Sequence, residues 1–161
     1  MRTLYAVSVM ALIILGSNTA NARSCYSSVE AEAEQGIRIH SELMVIGLNC
    51  QHMGAREGMN LYSSYRQFTA DHADLFATYE NILLKHFTSN GVSKPEAQLN
   101  TLRTEFANKI SKDVADMRPD VFCSRYSPRI VKASAMKETD LRLWAATIYD
   151  SHPVSKPVCG G

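Results

Sequence analysis

The residues best suited to chemistry lie near the end of the first predicted helix. His40 and Met44 are four positions apart, on one helix face, and Cys50, His52 and Met53 follow them. Imidazole, thioether and thiolate groups are ligands for a soft metal such as copper. Methionines also fill irregular gaps in helical cores, however, and no HxxxH or MxxM pattern accompanies them. We keep His40 and Met44 as metal candidates but predict neither a bound metal nor a cofactor.

A second group consists of His72 with the nearby acids Asp71 and Asp74, which resembles a base oriented by a carboxylate. The chain has no GxSxG, HExxH or CxxCH motif that would complete a catalytic or haem site. A histidine beside acids is more simply a solvated surface group. We therefore predict no catalytic residue and no enzymatic activity.

The four cysteines are more informative, because their positions can be tested against the predicted topology. No CxxC pair is present to form a redox or metal site, so we expect the cysteines to form structural disulfide bonds. Cys25 and Cys50 flank one predicted helix, about 37 Å apart, whereas bridged α-carbons lie within about 7 Å. In four antiparallel helices the end of the first meets the start of the fourth, and the two chain ends meet at the opposite end. This topology predicts two disulfide bonds, Cys50 with Cys123 and Cys25 with Cys159.

Apolar spacing and capping signals predict the helices that position these cysteines. The predicted helices cover residues 27–50, 60–90, 93–118 and 127–150. We expect a break between Thr69 and Asp71 and a kink near Glu138. The fourth helix is expected to start at Ser127 and Pro128. The pattern predicts an all-α, up-down-up-down four-helix bundle stapled by two disulfides, with an irregular tail from about residue 151.

The run LMVIGL in the first helix is apolar all round, whereas an ordinary bundle helix keeps one polar face. One interpretation makes this helix the central element, covered on several sides. The other leaves part of the run as a contact surface for a partner protein or a second copy of the chain. The candidate interface residues are Leu43, Met44, Val45, Ile46 and Leu48.

Residues 1–22 are predicted to be a cleaved secretory signal peptide. Arg2 precedes an uncharged run from Leu4 to Gly16, and Ala20 and Ala22 occupy the positions that signal peptidase reads. The run is shorter than the roughly 20 apolar residues of a membrane span. The two residues before the first cysteine do not suit a lipoprotein signal. We therefore expect no membrane anchor.

The composition argues against nucleic acid as a partner, because the chain has 17 Lys and Arg residues and 16 Asp and Glu residues. Such a balance provides no basic field for a nucleic-acid backbone. Paired cysteines fit an oxidising compartment, so we predict that residues 23–161 form one exported domain, periplasmic in preference to extracellular.

The absence of a catalytic motif leads us to predict that this domain contacts another protein, as an inhibitor, immunity protein or chaperone-like factor does. The alternative is a periplasmic carrier of a small ligand or soft metal, with its site between helices.

Overall fold

The computed structural model describes residues 25–52 and 60–160, which form an all-α fold, as predicted. The helices are α1 (Ser28–Cys50), α2 (Leu61–Asp71), α3 (Ala73–Ser89), α4 (Pro95–Asp116), α5 (Pro119–Ser134) and α6 (Glu138–Ala146). Within the two described ranges, no helix is both long and apolar enough to cross a membrane. The predicted signal peptide lies outside the described residues.

Helix α1 begins at the predicted capping box. The Oγ atom of Ser27 accepts a hydrogen bond from the amide of Glu30 at 3.3 Å, and the Glu30 carboxylate accepts one from the amide of Ser27 at 2.7 Å. Burial alone would raise the pKa of Glu30, but hydrogen bonds from Ser27 and His86 outweigh it and lower that pKa. The cap therefore satisfies two amides that the first helical turn leaves free.

Helix α1 is also the central helix, because it packs against each of the other five. In the LMVIGL run, Leu43, Val45 and Ile46 are buried, Met44 is half-buried and Leu48 is exposed. The structure thus places most of the run in the core of a single copy of the chain.

The second and fourth predicted helices are each divided in two. Helices α2 and α3 meet at His72, next to the expected break, and α5 and α6 are separated by residues 135–137. The predicted start of the fourth helix is wrong, since α5 begins at Pro119 and contains Pro128 in its interior. Its predicted end is also wrong, since α6 ends at Ala146. If each divided pair is counted as one unit, the order is that of the four predicted helices.

Both predicted disulfide bonds are confirmed. Cys50 at the end of α1 joins Cys123 in α5, with α-carbons 5.6 Å apart. Cys25 joins Cys159, with α-carbons 5.2 Å apart, and the two residues are 134 positions apart in sequence. Next to this second bond, the backbone of Tyr26 makes two hydrogen bonds, of 2.8 and 2.7 Å, with the C-terminal segment. The two ends of the described chain are therefore fastened together.

Candidate binding cleft

One side of α1 carries polar side chains that are buried instead of solvated. Each is 5% exposed or less, and the set is Glu34, Gln35, Arg38, Ser41 and Glu42. Buried charged and polar groups are costly unless they are hydrogen-bonded or paired. Most of their partners come from residues 147–160, which follow α6 and which we call the tail.

Glu34 holds the tail at Ser155. The Ser155 amide donates a hydrogen bond to Oε1 of Glu34 at 2.6 Å, and the Ser155 hydroxyl donates to Oε2. Nη2 of Arg38 lies 3.9 Å from the same carboxylate. Because hydrogen bonds to an ionised group are stronger than neutral ones, this fully buried carboxylate is a firm anchor for the tail.

Gln35 and Arg38 hold the tail at two further points through its backbone. Nε2 of Gln35 donates to the carbonyl of His152 at 2.6 Å, and Nη2 of Arg38 donates to the carbonyl of Pro153 at 2.5 Å. The guanidinium of Arg38 also lies over the ring of Phe106, 4.3 Å from its centroid. Among the described residues, Nε of Arg38 is the one buried side-chain donor that has no hydrogen-bond partner.

Helices α1, α5 and α6 and the tail line an open cleft of about 340 Å³. Its walls include Arg38 and Glu42 from α1, Arg129 from α5 and Trp144 from α6. The volume lies at the lower end of the range of roughly 300 to 1,000 Å³ that is typical of small-molecule sites. The cleft can therefore accept a side chain or a small molecule.

An ion pair forms one wall of the cleft. Nη2 of Arg129 donates to Oε2 of Glu42 at 2.6 Å. The side chain of Glu42 is only 3% exposed, whereas that of Arg129 is 27% exposed. Nε2 of His152 lies 3.8 Å from Oε1 of the same carboxylate. Glu42 thus lies between two basic groups, while Arg129, which also lines the cleft, remains partly exposed.

The charges around His152 are more positive than negative. Burial lowers the pKa of its imidazole, and Glu42 acts in the opposite direction. Arg129, Arg38 and Lys109 each lower this pKa further. Lys109 is held close by a hydrogen bond of 3.2 Å from Nζ to a backbone carbonyl of the tail. These groups favour the neutral imidazole and leave the cleft with an excess of positive charge.

One side chain at the mouth of the cleft is both aromatic and largely exposed. Tyr149 lines the cleft and is 53% exposed. Aromatic residues are enriched at protein interfaces. The cleft therefore combines a charged interior with an exposed aromatic side chain at its mouth.

The structure places the metal candidates His40 and Met44 elsewhere. Nε2 of His40 lies 3.3 Å from the hydroxyl of Tyr65, and its ring packs edge-on against Phe76. Burial, with a contribution from Arg103, lowers the pKa of His40 to about 4. Met44 packs against the hydrophobic core. Within the described part of the chain, no group of three or more His, Cys, Asp or Glu residues is arranged to hold a metal ion.

The interpretation of His72 as a solvated surface group is wrong. His72 is buried at the junction of α2 and α3, where its ring packs against Phe68 with centroids 5.0 Å apart. Asp71 beside it is exposed. Of the two residues that follow Cys50 in the metal hypothesis, His52 is exposed and Met53 lies outside the described residues.

None of the sequence-predicted site residues lines the cleft, although the sequence contains one signal for it. Glu34, Arg38 and Glu42 recur at intervals of four, so they lie on one face of α1. A charged row on a helix that is otherwise largely apolar indicates buried polar partners. No comparable signal marks Arg129 or His152, whose roles depend on tertiary contacts.

Comparison with protein families, curated proteins and solved structures finds no match for this chain. The two disulfide bonds indicate an oxidising compartment, as expected of an exported protein.

Proposed function

We propose that this chain is an exported, disulfide-bonded helical protein that acts by binding another protein through the cleft and the exposed side chain of Tyr149. The observation that carries the proposal is Tyr149, an aromatic side chain 53% exposed at the wall of a charged cleft. Tyrosine is among the residues that contribute most to protein interfaces, because it offers a large apolar face and a polar end. Inhibitors, immunity proteins and chaperone-like factors all act by such binding, without catalysis. We place the protein in the periplasm in preference to the extracellular space.

The attachment of the tail supports this proposal. The tail carries Tyr149 and is fastened by the Cys25–Cys159 disulfide and by hydrogen bonds from Gln35 and Arg38. A surface that is already ordered loses less conformational entropy when a partner binds. The tail is thus suited to present its side chains in one arrangement.

A capture experiment with matched variants tests the proposal. The oxidised protein is immobilised and exposed to periplasmic extract of the source organism, alongside Tyr149→Ser and the control Val121→Ser. Val121 is 47% exposed, and it lies outside the cleft lining. We expect one protein to be retained by the wild type and by Val121→Ser, and lost with Tyr149→Ser. Equal retention by all three would refute the proposal.

The cleft volume of about 340 Å³ favours a second candidate function, a carrier of a small ligand. Native mass spectrometry of the protein purified from the periplasm distinguishes the two. A bound small molecule of constant mass, together with no retained protein, would support the carrier. A retained protein and a ligand-free mass would support the binding protein.

A further inference from the structure

The charges that line the cleft do not balance. Two guanidinium groups, of Arg38 and Arg129, face one carboxylate, of Glu42. Lys109 adds a further positive charge nearby, since it acts on His152 and donates to the tail. The other buried carboxylate of this region, Glu34, lies 3.9 Å from Nη2 of Arg38 and offsets its charge. Three cations of this region are thus matched by two carboxylates, so the cleft lacks about one negative charge.

We propose that the cleft is a carboxylate-binding site, and that the partner protein supplies an aspartate or glutamate side chain to it. The source of the carboxylate rests on the proposed function, but the site itself belongs to the isolated protein. The bound carboxylate lies against Arg129 and beside His152. The rest of the contact is made by Tyr149 at the mouth of the cleft.

Arg129 is the group that receives the carboxylate. A guanidinium has five N–H donors in a planar fork, which matches the two oxygens of a carboxylate. Arg129 uses Nη2 for Glu42, lines the cleft and remains 27% exposed, so it has further N–H donors to offer to a ligand. Arg38 is the supporting charge, because its guanidinium is buried and already donates to the tail.

A single carboxylate suits the site better than a phosphate dianion. Arg38 is paired with Glu34 and Arg129 with Glu42, so one added negative charge balances the remaining cation, Lys109. A second negative charge would be repelled by the Glu42 carboxylate, which is buried and therefore poorly screened by solvent. The cleft should thus prefer monoanions with a planar, two-oxygen head.

The only tryptophan of the chain, Trp144, lines the cleft and provides a built-in fluorescence signal. The protein is titrated at constant ionic strength with N-acetyl-aspartate N-methylamide, and separately with the neutral asparagine analogue and with inorganic phosphate. We expect a saturable change with the aspartate probe at millimolar concentrations, as befits one polar contact, and none with the asparagine analogue. No saturation with the aspartate probe, or an equal response to asparagine or phosphate, would overturn the proposal.

Two variants should change the affinity in opposite directions. Arg129→Gln removes the receiving fork and should weaken binding of the aspartate probe about tenfold. Glu42→Gln removes the competing negative charge and should strengthen binding several-fold. Arg118→Gln is the control, since Arg118 is exposed and does not line the cleft. Circular dichroism establishes that each variant is folded. Weakening by both cleft variants would reveal a merely structural effect and overturn the assignment.

The titration needs no partner, so its outcome is separate from that of the capture experiment. If Tyr149→Ser abolishes capture but the aspartate probe does not bind, the results support the protein-binding function and refute the carboxylate site. If the probe binds through Arg129 while Tyr149→Ser leaves capture unchanged, the results support the carboxylate site and refute the proposed function.

Discussion

Replacement of Gly36 by alanine should destabilise the protein, because α1 and α3 approach each other closely there. A methyl group at Gly36 would lie 2.3 Å from Cδ2 and 2.4 Å from Cε2 of Tyr79. Carbon atoms in contact normally lie about 3.5 to 4.0 Å apart, so the ring would have to retreat by more than 1 Å. Tyr79 is buried, and its hydroxyl donates to Glu32 at 2.7 Å, which restricts that movement.

The magnitude follows from two opposing contributions. Overpacking a core costs about 1 to 3 kcal/mol, and the distances at Gly36 place this case at the upper end. Alanine in a helix interior recovers about 0.5 to 1 kcal/mol relative to glycine. We therefore expect Gly36→Ala to lower the free energy of unfolding by about 2 to 2.5 kcal/mol. Gly47→Ala is the matched control, since its nearest neighbour would be Cβ of Tyr65 at 3.3 Å, and we expect little net change.

Urea denaturation followed by far-ultraviolet circular dichroism measures both variants on the oxidised protein. A double-mutant cycle with Tyr79→Leu then isolates the contact, since a smaller side chain should accept the methyl group of Gly36→Ala. In that background the cost should fall by about 1 kcal/mol or more. A Gly36→Ala protein as stable as Gly47→Ala, or an unchanged cost beside Leu, would refute the reasoning.

Three further predictions concern the disulfide, the buried histidine and the tail. Replacing Cys25 and Cys159 by serine should cost about 4 to 5 kcal/mol, since the bond spans 134 positions, and denaturation showing a loss below about 1 kcal/mol would contradict this. His40, with a folded pKa of about 4, is neutral when buried, so stability should fall by up to about 3 kcal/mol as pH drops from about 6.5 to 4. The variant His40→Gln should lose most of that slope between pH 6.5 and 4.5, whereas an unchanged slope would assign it to other groups, such as His152, whose pKa is also lowered. Ser155→Ala removes one of two donors to a buried carboxylate and should cost about 1 to 3 kcal/mol, with faster amide exchange confined to the tail; exchange unchanged in the tail would argue against its anchoring role.

The sequence was sufficient to predict features that depend on local signals or on simple geometry. The capping box at Ser27 fixed the start of α1. The length of α1 excluded a bond between Cys25 and Cys50, and antiparallel order then selected the observed pairs. These inferences succeeded because helix length and chain order do not depend on side-chain packing.

The predicted helix boundaries after α4 are wrong for a physical reason. Proline is unfavourable inside a helix but favourable in its first turn, so Pro119 was compatible with the end of one helix and the start of another. The structure uses it at the start of α5. The same preference predicts a helix start at Pro128, and this is wrong because Pro128 lies within α5. A proline inside a helix lacks the amide hydrogen of one intrahelical hydrogen bond. Whether tertiary packing compensates for that lost bond depends on residues far away in sequence, so the local sequence does not predict it.

The cleft depends on contacts between residues far apart in sequence. The composition of the tail, with prolines and terminal glycines, predicts an irregular segment, and the structure agrees. What composition does not reveal is that Glu34, Gln35 and Arg38 lie more than 100 positions away and bind the backbone of that segment. Every residue carries the same backbone groups, so the sequence of the tail gives no sign of this contact. Only the polar side chains of α1 indicate it. The polar row on α1 therefore indicates that a segment must cover it, and the Cys25–Cys159 bond identifies the tail as that segment.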